Sequence, residues 1–437
     1  MTFLKRLKTL LRDECGNALF VGAATMPILI GGAGLAIDTV QISLAKRELQ
    51  RAADSAALAG AYAINQNPSS TGTARTTYAT NGVTRDLAIN NDVPLTGSAI
   101  VQNAPATGTY AGNANAVRVQ LTANRNLAFF SFFNTGPATI TVEATAMIVR
   151  EGGFCLLSLE DGNAPGVTVG GNATLDLGCG ISTNSTSSSA ITATGSSSVT
   201  ASPIMAVGGV PSSSNYHGST LVPYSAVQQD PLAGLPNPTP SNCVAPPATG
   251  PQANITINTS TPGYNSADRS LCFNGWEVKG TVNLSFAEPT IIYINGGELD
   301  FTSQANVTAN NVTFVLTSTN ATSNPASIAS LKMNGQADVT INSPTSGIYT
   351  GVAFYEDRRA PLGRTTRING GSGTTINGAL YFPRAYFEYN GGADMAATCI
   401  QLIGRRLDFR GNGTVTNSCD GTTGRNNFQG TYVRLVG

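Results

Sequence analysis

The order of apolar and polar positions divides this chain into regions of different texture. Residues 18–37, ALFVGAATMPILIGGAGLAI, form an unbroken apolar run without a charged side chain. At about 1.5 Å rise per residue, a helix of that length spans the roughly 30 Å hydrocarbon core of a bilayer. The run is longer than the about 7–15 apolar residues of a signal peptide. A single transmembrane helix is therefore expected, with a cleaved signal peptide and a buried core helix as the alternatives. The helix is expected to continue past the apolar run, because no Gly or Pro interrupts residues 38–59. Val40, Leu44, Ala52, Ala56 and Ala59 lie near one stripe, and Lys46, Arg47, Glu48, Gln50 and Arg51 supply the wet side. An Ala-rich stripe allows close approach, either of the helix's own domain or of another subunit.

A second, short helix is expected over residues 71–85. Residues 115–122 and 139–149 alternate as strands, with the apolar run LAFFSFF at 127–133 between them as a short helix. Helix, strand, short helix, strand is a compact α+β pattern. Phe129, Phe130, Phe132 and Phe133 are expected in its core, where Phe is usually found. The other reading of this cluster is a binding patch.

From residue 154 the pattern changes to strands of three to five residues separated by Gly, Asn and Ser corners. The segments GNATLDLGCGIS, GGELDFTSQANVTANNVTFVL, LKMNGQADVTINSP and AYFEYNGG repeat this one idea. Small and amide residues tolerate the left-handed backbone angles of tight corners. A recurrence of about 20 residues is that of stacked solenoid coils. The C-terminal region therefore reads as all-β, with a right-handed parallel β-helix favoured over a β-sandwich. Residues 207–274 carry ten prolines, from Pro211 to Pro262, and read as an irregular insertion.

Composition narrows the picture. Charged residues are 11% of the chain and hydrophobic residues 41%. The polarity comes instead from Ser, Thr, Asn and 48 glycines, which suits exported β-rich proteins and does not suit helical bundles. The formal net charge is zero, so no basic field attracts nucleic acid. Lys5, Arg6, Lys8 and Arg12 precede the apolar run, which places the N-terminus in the cytoplasm and sends the C-terminal body outward. Six of the seven cysteines follow the run: Cys155, Cys179, Cys243, Cys272, Cys399 and Cys419. An even set beyond a membrane helix fits disulfides in an oxidising compartment. Pairing of sequence neighbours is one of the fifteen possible arrangements. No CxxC pair and only one histidine occur, so neither a zinc site nor any other metal or cofactor is expected.

Residues 16–61 also carry a resemblance. Gly16-Asn17, Pro27 within the apolar run, Gly-Leu-Ala-Ile-Asp at 34–38 and Leu-Gln-Arg-Ala-Ala-Asp-Ser-Ala-Ala-Leu-Ala-Gly-Ala at 49–61 occur in order. This combination resembles the N-terminal region of Tad (Flp) pilus-assembly proteins of the TadG-like type. The α+β pattern extends the resemblance to about residue 150. It implies a membrane-anchored, pilin-like protein that works with other pilus-assembly proteins. Type IV prepilins place a Glu five residues after the cleavage glycine, whereas the fifth residue after Gly16 is Val21. That departure implies a stem that stays tethered more than one that is cut and polymerised.

Candidate chemistry is sparse. The densest charged stretch is Tyr355-Glu356-Asp357-Arg358-Arg359, followed by Arg364 and Arg367. Glu356 and Asp357 are adjacent and would face opposite sides of a strand, so they do not pair as acid and base. An ion-paired corner is the expectation. Asp394 and Asp408 are scattered, and His217 lies in the polar segment SSSNYHGST without a Gly-x-Ser-x-Gly elbow. No nucleotide-binding or metalloprotease motif occurs. No catalytic, cofactor or metal residues are therefore assigned, and the chain is expected not to be an enzyme.

The expected organisation is a cytoplasmic basic N-terminus at 1–17, the transmembrane helix at 18–37 and a pilin-like region at 38–150. First solenoid coils follow at 154–206, the Pro-rich insertion at 207–274, the main solenoid at 275–420 and a tail at 421–437. The expected role is structural or adhesive, in an inner-membrane protein with a periplasmic or surface-exposed body. Its expected partners are the lipid bilayer, pilus-assembly proteins, and a surface or polysaccharide. The alternatives are a membrane-tethered carbohydrate-active β-helix enzyme and a periplasmic assembly regulator.

Overall fold

The structure is a computed structural model that describes residues 16–132, 136–369, 374–391, 395–397, 400–417 and 428–436. The chain forms two compact units, one of Met1–Val149 with Val433–Gly437 and the other of Arg150–Tyr432. One long N-terminal helix, apolar in its first part, precedes a mostly β C-terminal region.

In the first unit, helix α1 runs without a break over Gly16–Asn65. Its 50 residues extend about 75 Å. Its second half packs through Ala45, Leu49, Ala52, Ala53, Ala56, Ala57, Ala61 and Ile64, all buried. This row corrects the stripe read from the sequence. Val40 and Leu44 are 57% and 52% exposed, and Ala59 is half-buried. Steps of four residues advance about 40° around a helix, so positions 40 and 44 have rotated off the face that holds Ala52. Helix α2, Gly72–Asn90, extends beyond the expected 71–85 and ends where Asn91 folds back on the backbone of Val93.

Gly82 of α2 sits where the two helices touch. A Cβ there would lie 2.6 Å from the Ala59 carbonyl oxygen and 2.9 Å from the Ala63 Cβ. Strands β1 (Ile100–Asn103), β2 (Ala116–Arg125) and β3 (Ala138–Ser158) form an antiparallel sheet with β2 central. Val117, Val119, Leu121 and Ala123 alternate inward and share one core with Ile140, Val142 and the Ala-rich face of α1. The run at 127–133 holds a 3-10 turn at Phe130–Phe132. Leu127 is buried, Phe129 is half-buried and Phe130 is exposed, so Phe129 and Phe130 are not the core residues expected. The side chains of Phe132 and Phe133 lie outside the described residues.

The second unit is built on parallel pairing. Its core rows can be followed from strand to strand. In one row Leu271, Ile292, Phe314, Phe354, Leu380, Leu402, Leu156, Ile181 and Ile204 are successive register partners. A second row runs Val278, Phe301, Met333, Ile368, Tyr389, Phe409, Val169 and Ala193. A third ladder includes Leu284, Ala309, Ile341 and Ile376 on one part and Val415, Leu175 and Val199 on another. Residues of all three rows belong to one buried apolar cluster.

Spatial order departs from chain order. The strands of 154–206 pair with the C-terminal strand Ile400–Gly411, through Leu402 with Leu156 and Leu407 with Val167. The chain therefore joins this stack partway along, runs to one end at Leu221–Val222, and resumes at the other end with Asn254–Ile257. It then returns strand by strand to meet its own beginning. The intervening Pro-rich segment spans the two ends. Within 207–274, Leu221–Val222, Asn254–Ile257 and Ser270–Phe273 are short parallel strands, so the irregular part is narrower than the proline pattern suggests. Several expected short strands are joined into longer ones that bend, as in Trp276–Asn295 and Glu298–Thr317. At one such bend Gly280 has φ +74° and faces the Gly250 carbonyl, and at another Asn311 has φ +56° and donates its amide to the Phe286 carbonyl at 3.2 Å.

Disulfides join Cys155 to Cys179 and Cys243 to Cys272, with Cα separations of 5.8 and 4.4 Å. Both are the sequence-neighbour pairings. Cys399 and Cys419, the basic residues before the apolar run and residues 421–427 lie outside the described residues.

Candidate functional site

Most described side chains in the first half of α1 are uncovered by the rest of its unit. Met26, Ile28, Leu29 and Ile30 are 57–73% exposed. The helix is long and apolar enough to cross a membrane. Pro27 is tolerated inside it, as proline is in apolar spans. At the end of the apolar run Asp38 is buried, and its Oδ2 accepts the N–H groups of Phe129 at 3.1 Å and Phe130 at 2.6 Å. These are unpaired donors at the start of the 3-10 turn, where an anionic acceptor is favoured. One turn earlier, the space beside Gly34 is filled by the Phe129 ring, which a Cβ at that position would overlap.

In the second unit the charged stretch at 355–359 has a definite structural task. Tyr355, Tyr381, Val315, Leu157 and Ile403 form a buried row, and Leu232 and Leu235 of the Pro-rich segment pack against it. Tyr355 and Tyr381 are register partners, and their rings stack at 5.0 Å. The Tyr381 hydroxyl donates to Asp230 Oδ2 at 2.6 Å. Arg358 donates to the carbonyls of Leu232, Ala233 and Leu235, and Arg359 donates to that of Pro238 at 2.9 Å. The Pro-rich segment is thus strapped down over a tyrosine row by two arginines. Burial pushes the Tyr355 phenol up to about 12 and raises those of Tyr349 and Tyr381 as well.

Asp357 is fully buried and ion-paired with Arg359 at 2.6 Å, and also accepts the Thr317 hydroxyl at 2.7 Å. Glu356 is buried on the opposite, inward side, paired in register with Leu316. Its burial raises the carboxyl to about 7, against the lowering effect of Arg364 and Arg384. Its Oε2 has no hydrogen-bond partner. Glu356 and Asp357 are therefore not brought together as a catalytic pair. Arg367 pairs with Glu388, Asp408 with Arg410, and His217 is exposed. Asp394 lies outside the described residues. Among the described residues, no group of three His, Cys, Asp or Glu side chains is placed to hold a metal ion.

Sequence reasoning missed a second ionic cluster. Glu160 is buried and takes Arg405 at 3.1 Å and Arg406 at 2.6 Å, and Arg406 also lies 4.6 Å from the centre of the Tyr386 ring. This cluster joins residue 160 to residues 405 and 406 across the point where the chain meets its own beginning. Nothing in local sequence spacing marks that contact. Asn184 and Gln228 were missed for the same reason. They exchange two hydrogen bonds of 2.8 Å, which fix the start of the strap.

The outward positions of the third ladder form a polar row. Thr256, Asn283, Thr308, Thr340 and Thr375 are successive partners, exposed or half-buried. Beside them the Asn377 amide donates to Asn342 at 2.7 Å, and the Asn342 amide to Asn310 at 2.8 Å. The arrangement can present repeated hydroxyls and amides at the strand spacing of about 4.8 Å.

Residues 16–63 match a family model described as putative Flp pilus-assembly TadE/G-like. The matched segment coincides with nearly the whole of α1. No curated protein and no solved structure matches the chain.

Proposed function

We propose, on the premise that residues 16–63 form a TadE/G-like segment, that the protein is a membrane-anchored structural component of a Tad-type (Flp) pilus assembly. The observation that carries this reading is the division of labour along α1. The apolar first half of the matched segment stays uncovered, and the Ala-rich second half packs into a folded unit. That is the build of a tether with a body attached. The basic residues before the span put the N-terminus in the cytoplasm and the body in the periplasm or at the cell surface.

The parallel ladders of the second unit are the faces of one right-handed β-helix in this proposal. Parallel crossover connections are overwhelmingly right-handed for L-residues, which supports that hand. The β-helix serves as a scaffold or adhesive body that meets other pilus-assembly proteins and a surface or polysaccharide through its Thr- and Asn-rich face. It performs no chemistry. The enclosure of Glu356 and the locking of Asp357 by Arg359 support that part of the reading.

Cell fractionation tests the proposal. The full-length protein is expected in the membrane fraction, and a strain lacking it is expected to lose pilus display or surface attachment. Normal piliation and adhesion in that strain would sink the reading. Recovery of the protein in sheared pili would make it a filament subunit, and recovery in membranes alone would make it a resident assembly factor.

A further inference from the structure

We infer that the Phe129–Phe130 turn is a membrane-inserted wedge, docked on the anchor helix at the level of the outer lipid headgroups. The inference rests on the membrane-anchored reading of α1 and adds a second point of lipid contact.

The depth of the turn follows from its two attachments. Asp38 holds its backbone, through the N–H groups of Phe129 and Phe130. Gly34 holds the Phe129 ring, which occupies the volume a side chain would need. Gly34 lies one helical turn, about 6 Å, inside the apolar run relative to Asp38. A ring seated at Gly34 therefore reaches below the end of the expected span at residue 37. Beside it the helix surface is apolar and uncovered, with Leu35 46% and Ile37 50% exposed. Phe130 is exposed on the same turn. The exposed aromatic surface is thus continuous with that of the span, and the occupant that fits this continuity is lipid.

The placement also accounts for Asp38. A carboxylate at the edge of a hydrocarbon layer is costly unless it is paired or shielded. Here Asp38 is buried beside the turn, which supplies two donors to its Oδ2 and leaves Oδ1 enclosed without a partner, so the carboxylate is not presented to acyl chains. The small residue at 34 and the acid at 38 form one docking site for the turn, four residues apart on one face of α1. Interfacial aromatic residues of this kind fix the depth and tilt of a span.

The test uses the full-length protein in nanodiscs that carry nitroxide-labelled lipids. Variant Phe130→Trp reports the turn, Leu29→Trp reports the span, and Tyr224→Trp, at an exposed position of the β unit, reports solvent. Each signal is taken as the difference from the parent, whose single Trp276 is buried. Phe130→Trp is expected to lose about half or more of its added emission to labels near the headgroup, as befits an interfacial depth of about 5–10 Å, and less to labels at the chain end. Tyr224→Trp is expected to be unaffected. An unquenched Phe130→Trp beside a quenched Leu29→Trp would overturn the wedge and leave the anchor intact. Unquenched emission from both would overturn wedge and anchor together. Emission from Phe130→Trp that is shifted to the blue but unquenched, and only in discs with several copies, would assign the turn to a protein partner and also overturn the inference.

Discussion

At the scale of single residues, the buried acids show how environment assigns a role. Glu356 is held at about 7, well above its ordinary 4.5, mainly because burial penalises its charge. Below pH 4.5 both folded and unfolded chains are protonated there, and the full stability is present. Between pH 4.5 and 7 the unfolded chain ionises first, so stability falls as pH rises, and above 7 the loss is complete. Glu356→Gln is therefore expected to flatten this part of the stability profile and to raise stability at pH 8 by up to about 3 kcal/mol. Urea unfolding of the purified protein at pH 4 and pH 8 measures both. Asp38 differs in that two backbone donors hold its Oδ2, while its Oδ1 is buried without a partner. Asp38→Ala leaves the N–H groups of Phe129 and Phe130 without their acceptor and is expected to cost about 1–3 kcal/mol. Unfolding of the first unit in detergent, followed by helical circular dichroism, checks that loss.

Elements show where small residues and long side chains decide the packing. The α1–α2 contact depends on Gly82, because the nearest obstacle to a Cβ is the Ala59 backbone carbonyl, which cannot swing away. Gly82→Leu is expected to push the helices apart at a cost of about 2–3 kcal/mol, within the usual range for overpacking. A lowered melting temperature with retained secondary structure is the expected readout. The strap at residues 228–238 depends on Arg358, which ties three of its carbonyls. Arg358→Ala is expected to speed amide hydrogen exchange from Asp230 to Leu235 while the ladders of the second unit keep their protection. Equal protection of the strap in the variant would mean that Leu232 and Leu235 hold it unaided.

At the scale of the molecule, the β unit closes on itself through the pairing of residues 400–417 with residues 154–176. The first strands in sequence cover what would otherwise be a raw edge of parallel backbone groups. A chain lacking residues 154–222 is expected to expose the row at Leu402 and Leu407 and to aggregate, whatever the state of α1. Size-exclusion chromatography of the detergent-purified variant checks this, and a monodisperse product would show that those strands are dispensable.

Much of this was legible in the sequence because its cause is local. The apolar run, the continuation of the helix through residues without Gly or Pro, the TadE/G-like segment and the corner chemistry of Gly and Asn all follow from neighbours along the chain. The even set of cysteines was legible too, but which of the fifteen pairings forms was decided by the fold, which joins Cys155 to Cys179 and Cys243 to Cys272. What the tertiary structure alone decided is long-range. The face that α1 buries is set by where α2 and the sheet stand, so Val40 and Leu44 are outside it despite their spacing. The Phe129–Phe130 turn is set by a carboxylate some ninety residues earlier, and Arg358 is a strap clamp only because residues 232–235 pass over it. The union of residues 154–206 with residues 400–417 has no local signature at all. Every strand in the stack looks alike in sequence, and only the three-dimensional register determines which ones meet.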